Sequence, residues 1–342
     1  MSVDTINYDF EMNEEPSMES IGDITSNLVG KMQTDRVYRG GQITAPGVYA
    51  GVDIERYHRD TTLFDGFSIS SSGVRTLLRR PLEYWWTSPY NPKAEEPEAK
   101  PALDFGKAAH MLLLGEDGFA QKYSLRPAKY PSADGEKAWN ANAGWCKDWL
   151  AAQAKAGRIV ITETEIGHIR HMAASLQAKE AVRLGILNGR IERSIFTKRN
   201  GIWLKTRPDV IPNSSGDFVD LKTAASVDDE SLSKAIFAHG YHIQAGFMRM
   251  IVREVLGPDA FTSFSFAFVE KTAPYDVRIM QLKDADIDLG ERQAMRGLAI
   301  LADCLKRKEW PGFDGHDQHV SYCEMPAWAR TRIDTQLNSE AA

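Results

Sequence analysis

Apolar and polar positions divide the chain into two textures. Up to about residue 188 they recur with helical spacing. In SISSSGVRTLLRRPLEYWW, Val74, Leu77, Leu78 and Leu82 follow a run of serines, Ser70 to Ser72, that can cap a helix. ALDFGKAAHMLLLGED is a compact apolar helix with one histidine, His110, inside it, and residues about 136–155 and 162–188 continue as helices. From Ile191 the spacing shortens to alternation. RIERSIFTKR, GIWLKTRPDVI, DFVDLKTA, FTSFSFAFVEK and YDVRIMQL predict five strands. A helical segment at about 228–256 separates the third from the fourth, and residues 286–310 close the pattern as a long helix. Helices, three strands, helix, two strands, helix predict an α/β (α+β) fold: a central mixed sheet flanked by helices, with a helical N-terminal portion.

Alternation also assigns faces. In WLKTRPDV, read as one strand, Trp203, Lys205, Arg207 and Asp209 share one side, and in FVDLK so do Asp220 and Lys222. The residues IPNSSG between Val210 and Asp217 suit a hairpin, which brings Asp209, Asp220 and Lys222 together. Two close carboxylates repel unless a proton or a cation lies between them. Hard oxygen donors select Mg²⁺ or Mn²⁺, and a neighbouring lysine is suited to orient or deprotonate the attacking water. The competing reading, a plain cross-strand ion pair, would be preferred for a lone Asp–Lys and is disfavoured here by Pro-Asp, the hairpin and Asp-x-Lys occurring together.

Composition narrows the class. Of 342 residues, 43% are hydrophobic, enough for a sizeable core, and no apolar run approaches the roughly 20 residues of a membrane span. The N-terminus is acidic and lacks the apolar stretch of a signal peptide. The three cysteines form no CxxC pair, which disfavours a thiolate metal site and suits a reducing cytoplasm. The net charge is −6. Residues 1–36 carry eight acids against Lys31 and Arg36, so the tail holds that entire charge and the body is near neutral. Such a body is free to carry a basic groove, and the tail is expected to be disordered and solvated. The expected division is therefore an acidic tail (1–36), a single domain (37–330, helical over 68–188, with the catalytic sheet and helices over 190–309) and a C-terminal tail (331–342).

Pro208-Asp209, ten intervening residues and Asp220-Leu221-Lys222 together resemble the PD-(D/E)xK nuclease superfamily. FGKAAHMLLL is similar to the helix of its RecB-like branch whose histidine joins the metal site, which maps to His110. IERSIF resembles that branch's upstream acidic position (Glu192), and YHIQAGF its glutamine helix with a nearby tyrosine (Gln244, Tyr241). Within the branch the chain resembles the nuclease domain of the exonuclease VIII (RecE-like) family of phages and prophages, over about residues 45–330. One departure is Met248, where relatives often carry an aromatic hydroxyl.

The resemblance implies Mg²⁺-dependent 5′→3′ digestion of linear double-stranded DNA, with Mn²⁺ able to substitute. The product is a 3′ single strand for an annealing recombinase partner. It also implies a homo-oligomeric ring in the bacterial cytoplasm, with no membrane association. Its expected metal ligands are His110, Asp209, Asp220 and the Leu221 carbonyl, and its catalytic residues are Lys222, Asp209, Asp220 and Glu192. DNA contacts are expected from Gln244, Tyr241, Arg207 and Lys205, with pairing to an acid as the alternative for Lys205, while Arg75, Arg79 and Arg80 on the early helix read first as a solvated charged face and second as phosphate contacts. The alternatives are an endonuclease or single-strand-specific nuclease on the same scaffold, and a non-catalytic module that binds DNA ends.

Overall fold

A computed structural model describes residues 35–94, 101–116, 118–213, 215–315, 320 and 322–340. Most of the acidic tail lies outside them. Asp35 and Arg36 do not: Asp35 pairs with Arg190 and, at 2.7 Å, with Arg193, and Arg36 begins the first strand.

The lead-in before the first long helix folds as β1 (Arg36–Val37), β2 (Gly47–Ala50), α1 (Ile54–Arg59) and β3 (Ser68–Ser70). The helix after the serine run follows as α2 (Ser71–Arg79), with Ser70 at its N-cap position but making no side-chain cap, since its hydroxyl bonds that of Ser72, and Pro81 at the first position of α3 (Pro81–Thr87) restarts it in a new direction. The histidine helix is α4 (Pro101–Leu114), followed by α5 (Phe119–Lys122) and β4 (Tyr123–Leu125). The expected helix over 136–155 begins late. Its first part is a hairpin of β5 (Lys129–Ser132) and β6 (Gly135–Ala138), because Asp134-Gly135 favours a turn, and α6 (Gly144–Lys155) comes after it. Then come β7 (Ile159–Ile161), α7 (Glu163–Ala178), started by a capping box between Thr162 and Glu165, and α8 (Glu180–Arg183).

The β-rich half contains β8 (Gly189–Ile191), β9 (Ser194–Arg199), β10 (Ile202–Thr206), β11 (Val210–Pro212) and β12 (Asp217–Ala224). The helical segment is broken at Gly240 into α9 (Asp229–Ala238) and α10 (Tyr241–Leu256). β13 (Ser263–Glu270), β14 (Val277–Gln281) and the long α11 (Asp284–Arg307) follow. The expected C-terminal tail is mostly helix, α12 (Ala327–Glu340).

Among the described residues ten strands form two five-stranded mixed sheets where one was expected, and the other four form the two-stranded pairs β4–β7 and β5–β6. The five-stranded orders are β1-β2-β9-β10-β3 and β14-β13-β12-β11-β8. Both of the first two strand runs are cut, at Glu192–Arg193 and at Arg207–Asp209, and at each cut the chain crosses between sheets. Pro208 has no N–H to give a ladder, which favours the break there. Alternation continues unchanged across such a crossing, so the pattern alone does not disclose it.

In the second sheet β12 lies between β11 (antiparallel) and β13 (parallel). Its Val219 and Leu221 pack with Ala108, Ala109 and Met111 of α4. Phe218 on the opposite side joins the core formed with Ile243 and Phe247 of α10. Asp220 and Lys222 therefore face α10, while α4 covers the other side. α10 is held against α11 at a close crossing: a Cβ on Gly290 would collide with the backbone of His242, and one on Gly246 with that of Glu291.

Candidate active site

The Pro208 break leaves Asp209 at the start of β11, beside β12. Its Oδ2 accepts a hydrogen bond from the Leu221 N–H at 2.6 Å, and its Oδ1 lies 2.9 Å from His110 Nε2. A strand residue projects its N–H and C=O to one side, so the Leu221 carbonyl lies toward the same edge. On β12, Asp220 is only 3% exposed. Its Oδ1 accepts a hydrogen bond from Gln244 Nε2 at 2.7 Å, and its Oδ2 forms an ion pair with Lys222 but no well-formed hydrogen bond. The Lys222 ammonium stands 5.6 Å from the centre of the Tyr241 ring. On the far side of the imidazole, His110 Nδ1 lies 2.9 Å from Glu116 Oε1.

The electrostatics follow from two acids and two bases in little water. For Asp220, burial and then repulsion from Asp209 raise the carboxyl's pKa, against the pull of Lys222. For Asp209, burial acts upward too, but His110, Lys222 and the Leu221 N–H outweigh it and the pKa is lowered. Burial disfavours the charged imidazole of His110, yet Asp209 and Glu116 on its two sides push its pKa up to about 10. Lys222 is likewise raised, because Asp220 and Asp209 overcome its desolvation.

The donor set suits a hard divalent cation: two convergent carboxylates, one of whose oxygens lacks a hydrogen bond, and an imidazole nitrogen on the same side. Among the described residues, no three His, Cys, Asp or Glu side chains already stand in a ligand arrangement. The site's acids are instead neutralised by His110 and Lys222, so a cation would take over a charge balance now supplied by two protons. A cavity of about 500 Å³ elsewhere, between Leu113, Leu176, Leu187 and Ile191, offers volume but little of this chemistry.

His110, Asp209, Asp220, Lys222 and Gln244 are thus brought together, with Tyr241 beneath the lysine. Other expected residues are not. Lys205 does share a face with Trp203, but α1 covers that face. Its ammonium is buried, donates to the Tyr57 carbonyl at 2.5 Å and lies 5.1 Å from the Tyr57 ring centre. Arg207 is largely buried and pairs with Glu192, with a further hydrogen bond to the Val52 carbonyl at 2.8 Å. Glu192 sits at φ 61°, and this pair ties the two inter-sheet crossings together. Met248 is buried in the core. Of the early arginines, Arg79 pairs with Glu83, and Arg80 lies near Glu83 and over Phe313. Arg75 reaches the start of α10, where it donates to the His239 carbonyl. The left-handed Gly240 beside it leaves space that a Cβ would take from the Arg75 side chain.

Glu116 was not anticipated. The available signal was Gly115, a helix-ending glycine at φ +69° that turns the chain back so that the Glu116 N–H bonds the Met111 carbonyl.

Comparison with solved structures gives a candidate exonuclease from Eubacterium rectale at TM-score 0.52 and 16% identity, covering 82% of this chain and 98% of that one. This likeness shows a shared fold. A phage-related exonuclease from Haemophilus somnus 129PT matches at TM-score 0.30 and 11% identity, over 71% and 97% of the two chains. An alkaline exonuclease (LHK-Exo) from Laribacter hongkongensis matches at TM-score 0.23 and 16% identity, over 49% and 86%. No curated protein matches. The family described as PDDEXK-like domain of unknown function (DUF3799) matches residues 86–325, a span that holds His110, Glu116, Asp209, Asp220, Lys222 and Gln244. With more than half of its length matched, the chain belongs to this PDDEXK-like family.

Proposed function

We propose that the protein is a Mg²⁺-dependent exodeoxyribonuclease that degrades linear double-stranded DNA from its ends, 5′→3′. The observation that carries this reading is the convergence of Asp209 and Asp220, one buried and one largely so, with His110 and Lys222. Two acids that repel one another in a core are unfavourable for folding alone, and a divalent cation gives them a use. Asp209, Asp220, His110 Nε2 and the Leu221 carbonyl would hold it. When bound, Mg²⁺ (or Mn²⁺) supplies Lewis-acid polarisation of the scissile phosphate and of the attacking water.

The chain's own residues do the positioning. Gln244 fixes the rotamer of Asp220 through its hydrogen bond. Lys222, held between Asp220 and the Tyr241 face, orients the attacking water and offsets charge developing on the phosphate. Arg75, brought by α2 to the start of α10 within the electrostatic reach of Asp220, is proposed as a contact for a backbone phosphate. Polarity, end dependence, a single-strand annealing recombinase as partner, a homo-oligomeric ring and a bacterial cytoplasmic setting rest on the RecE-like resemblance. No helix among the described residues is long and apolar enough to cross a membrane.

The test is digestion of end-labelled linear duplex beside a covalently closed circle, with Mg²⁺ and with EDTA. Progressive loss of the linear label, Mg²⁺ dependence and an intact circle are expected. Equal cutting of the circle would replace this reading with an endonuclease, and no cutting of either with a DNA-end-binding module.

A further inference from the structure

Resting on the reading of this site as a metal-dependent nuclease centre, we propose that Glu116 is its positioning residue. Its carboxylate keeps a proton on His110 Nδ1 and so presents Nε2 as the lone-pair donor to the cation. The geometry separates the two roles. Glu116 Oε1 and Asp209 Oδ1 each lie 2.9 Å from the imidazole, but at different nitrogens, Nδ1 and Nε2. The two nitrogens point away from each other, so a cation shared by Nε2, Asp209 and Asp220 is out of reach of Glu116. A neutral imidazole carries one proton, and an ionised carboxylate only accepts. Glu116 is therefore satisfied only when that proton sits on Nδ1, which is the tautomer a ligating Nε2 requires.

The carboxylate is directed at the imidazole, with Arg207 a more distant charge that it also feels. Its side chain is 10% exposed, and among the described residues its carboxylate has no other hydrogen-bond partner. The turn at Gly115 and the Glu116 N–H to Met111 carbonyl bond, 2.9 Å, fold it back over the last turn of α4, toward His110. A purely structural carboxylate would only stabilise the buried imidazolium, whose Nε2 proton a cation must displace, so its loss would leave metal affinity unchanged or raise it once the fold is intact.

The experiment is calorimetric titration of the full-length protein with Mn²⁺, alongside the melting temperature of the metal-free form. The variants are Glu116→Leu, Glu116→Gln and Glu116→Asp, with Asp220→Asn as control. Glu116→Leu is expected to weaken Mn²⁺ binding about 10–100-fold. Glu116→Gln, whose amide oxygen still accepts from Nδ1–H, should remain within a few-fold of the unsubstituted protein. Glu116→Asp, one methylene short of the imidazole, should bind more weakly than Glu116→Gln, and that order decides the matter if the leucine variant does not fold. Unchanged or raised affinity in Glu116→Leu, or an aspartate variant that binds better than the glutamine one, with Asp220→Asn abolishing binding, overturns the role of Glu116 and leaves the nuclease reading standing. Absence of any Mn²⁺ binding that depends on Asp220 overturns both.

Discussion

Lys205 separates the family-based expectation from the structure most sharply, and its replacement by methionine has a calculable outcome. The side chain is 6% exposed, and burial lowers its pKa from 10.5 to about 8, against a smaller opposing pull from Asp60. At roughly 1.4 kcal/mol per pH unit, holding the ammonium charged at pH 7 costs the fold about 3 kcal/mol. The Lys205→Met substitution keeps the length and removes that cost, but also loses the hydrogen bond to the Tyr57 carbonyl, worth about 1 kcal/mol. The net expectation is stabilisation by about 2 kcal/mol at pH 7, a rise in Tm of about 3 °C for a chain of this length. The unfolded chain holds this proton more tightly than the folded one. The penalty is therefore full below pH 8 and fades as pH rises toward 10.5, and by pH 10 the two proteins should be nearly equal in stability. Urea denaturation at pH 7 and pH 10 measures both points, and cleavage and DNA affinity should match those of the unsubstituted protein. A stably folded Lys205→Met protein that has lost DNA binding, or one destabilised at pH 7, would refute the reasoning.

Asp220→Asn removes a ligand while keeping shape. Cleavage should fall about a thousandfold or more, since several kcal/mol of charge stabilisation are lost at 1.36 kcal/mol per tenfold, with a native circular dichroism spectrum. His110→Ala should abolish cleavage and, in EDTA, lower Tm. Because the pKa of His110 is raised to about 10 in the fold, its contribution is complete below pH 6.5 and lost as pH climbs through 10, so the Tm deficit should shrink over that range. A deficit that grows with pH would contradict the assignment of Asp209 and Glu116 as its partners. Gly290→Ala forces α11 away from the His242 backbone and should destabilise by about 3 kcal/mol, measured by urea denaturation, while displacing the helix that carries Gln244.

The sequence by itself determined the elements whose partners are close in the chain. The helix around His110, the helical segment that carries Gln244, the placing of Asp220 and Lys222 on one face of a strand and the Asp209–Asp220 pairing follow from spacing, whereas the site roles of His110 and Gln244 follow only from the family resemblance. In the structure these residues meet on neighbouring elements. Periodicity reports which side of an element is turned inward, because side chains alternate regularly along a strand and a helix. It carries no record of what covers that side. Lys205 was placed on the correct face, yet tertiary packing set α1 over it and made it a core cation. Glu192 and Arg207 fell in stretches that alternate as continuous strands, and only the passage between two sheets turned them into a mutual pair. Glu116 gained its partner from a reversal at one glycine after a helix end. The turn was signalled locally, but its direction toward the imidazole was set by how α4 packs on β12, a contact between segments about a hundred residues apart. Such contacts are fixed by the joint burial of distant apolar surfaces, a condition on the whole fold that no single window of sequence contains.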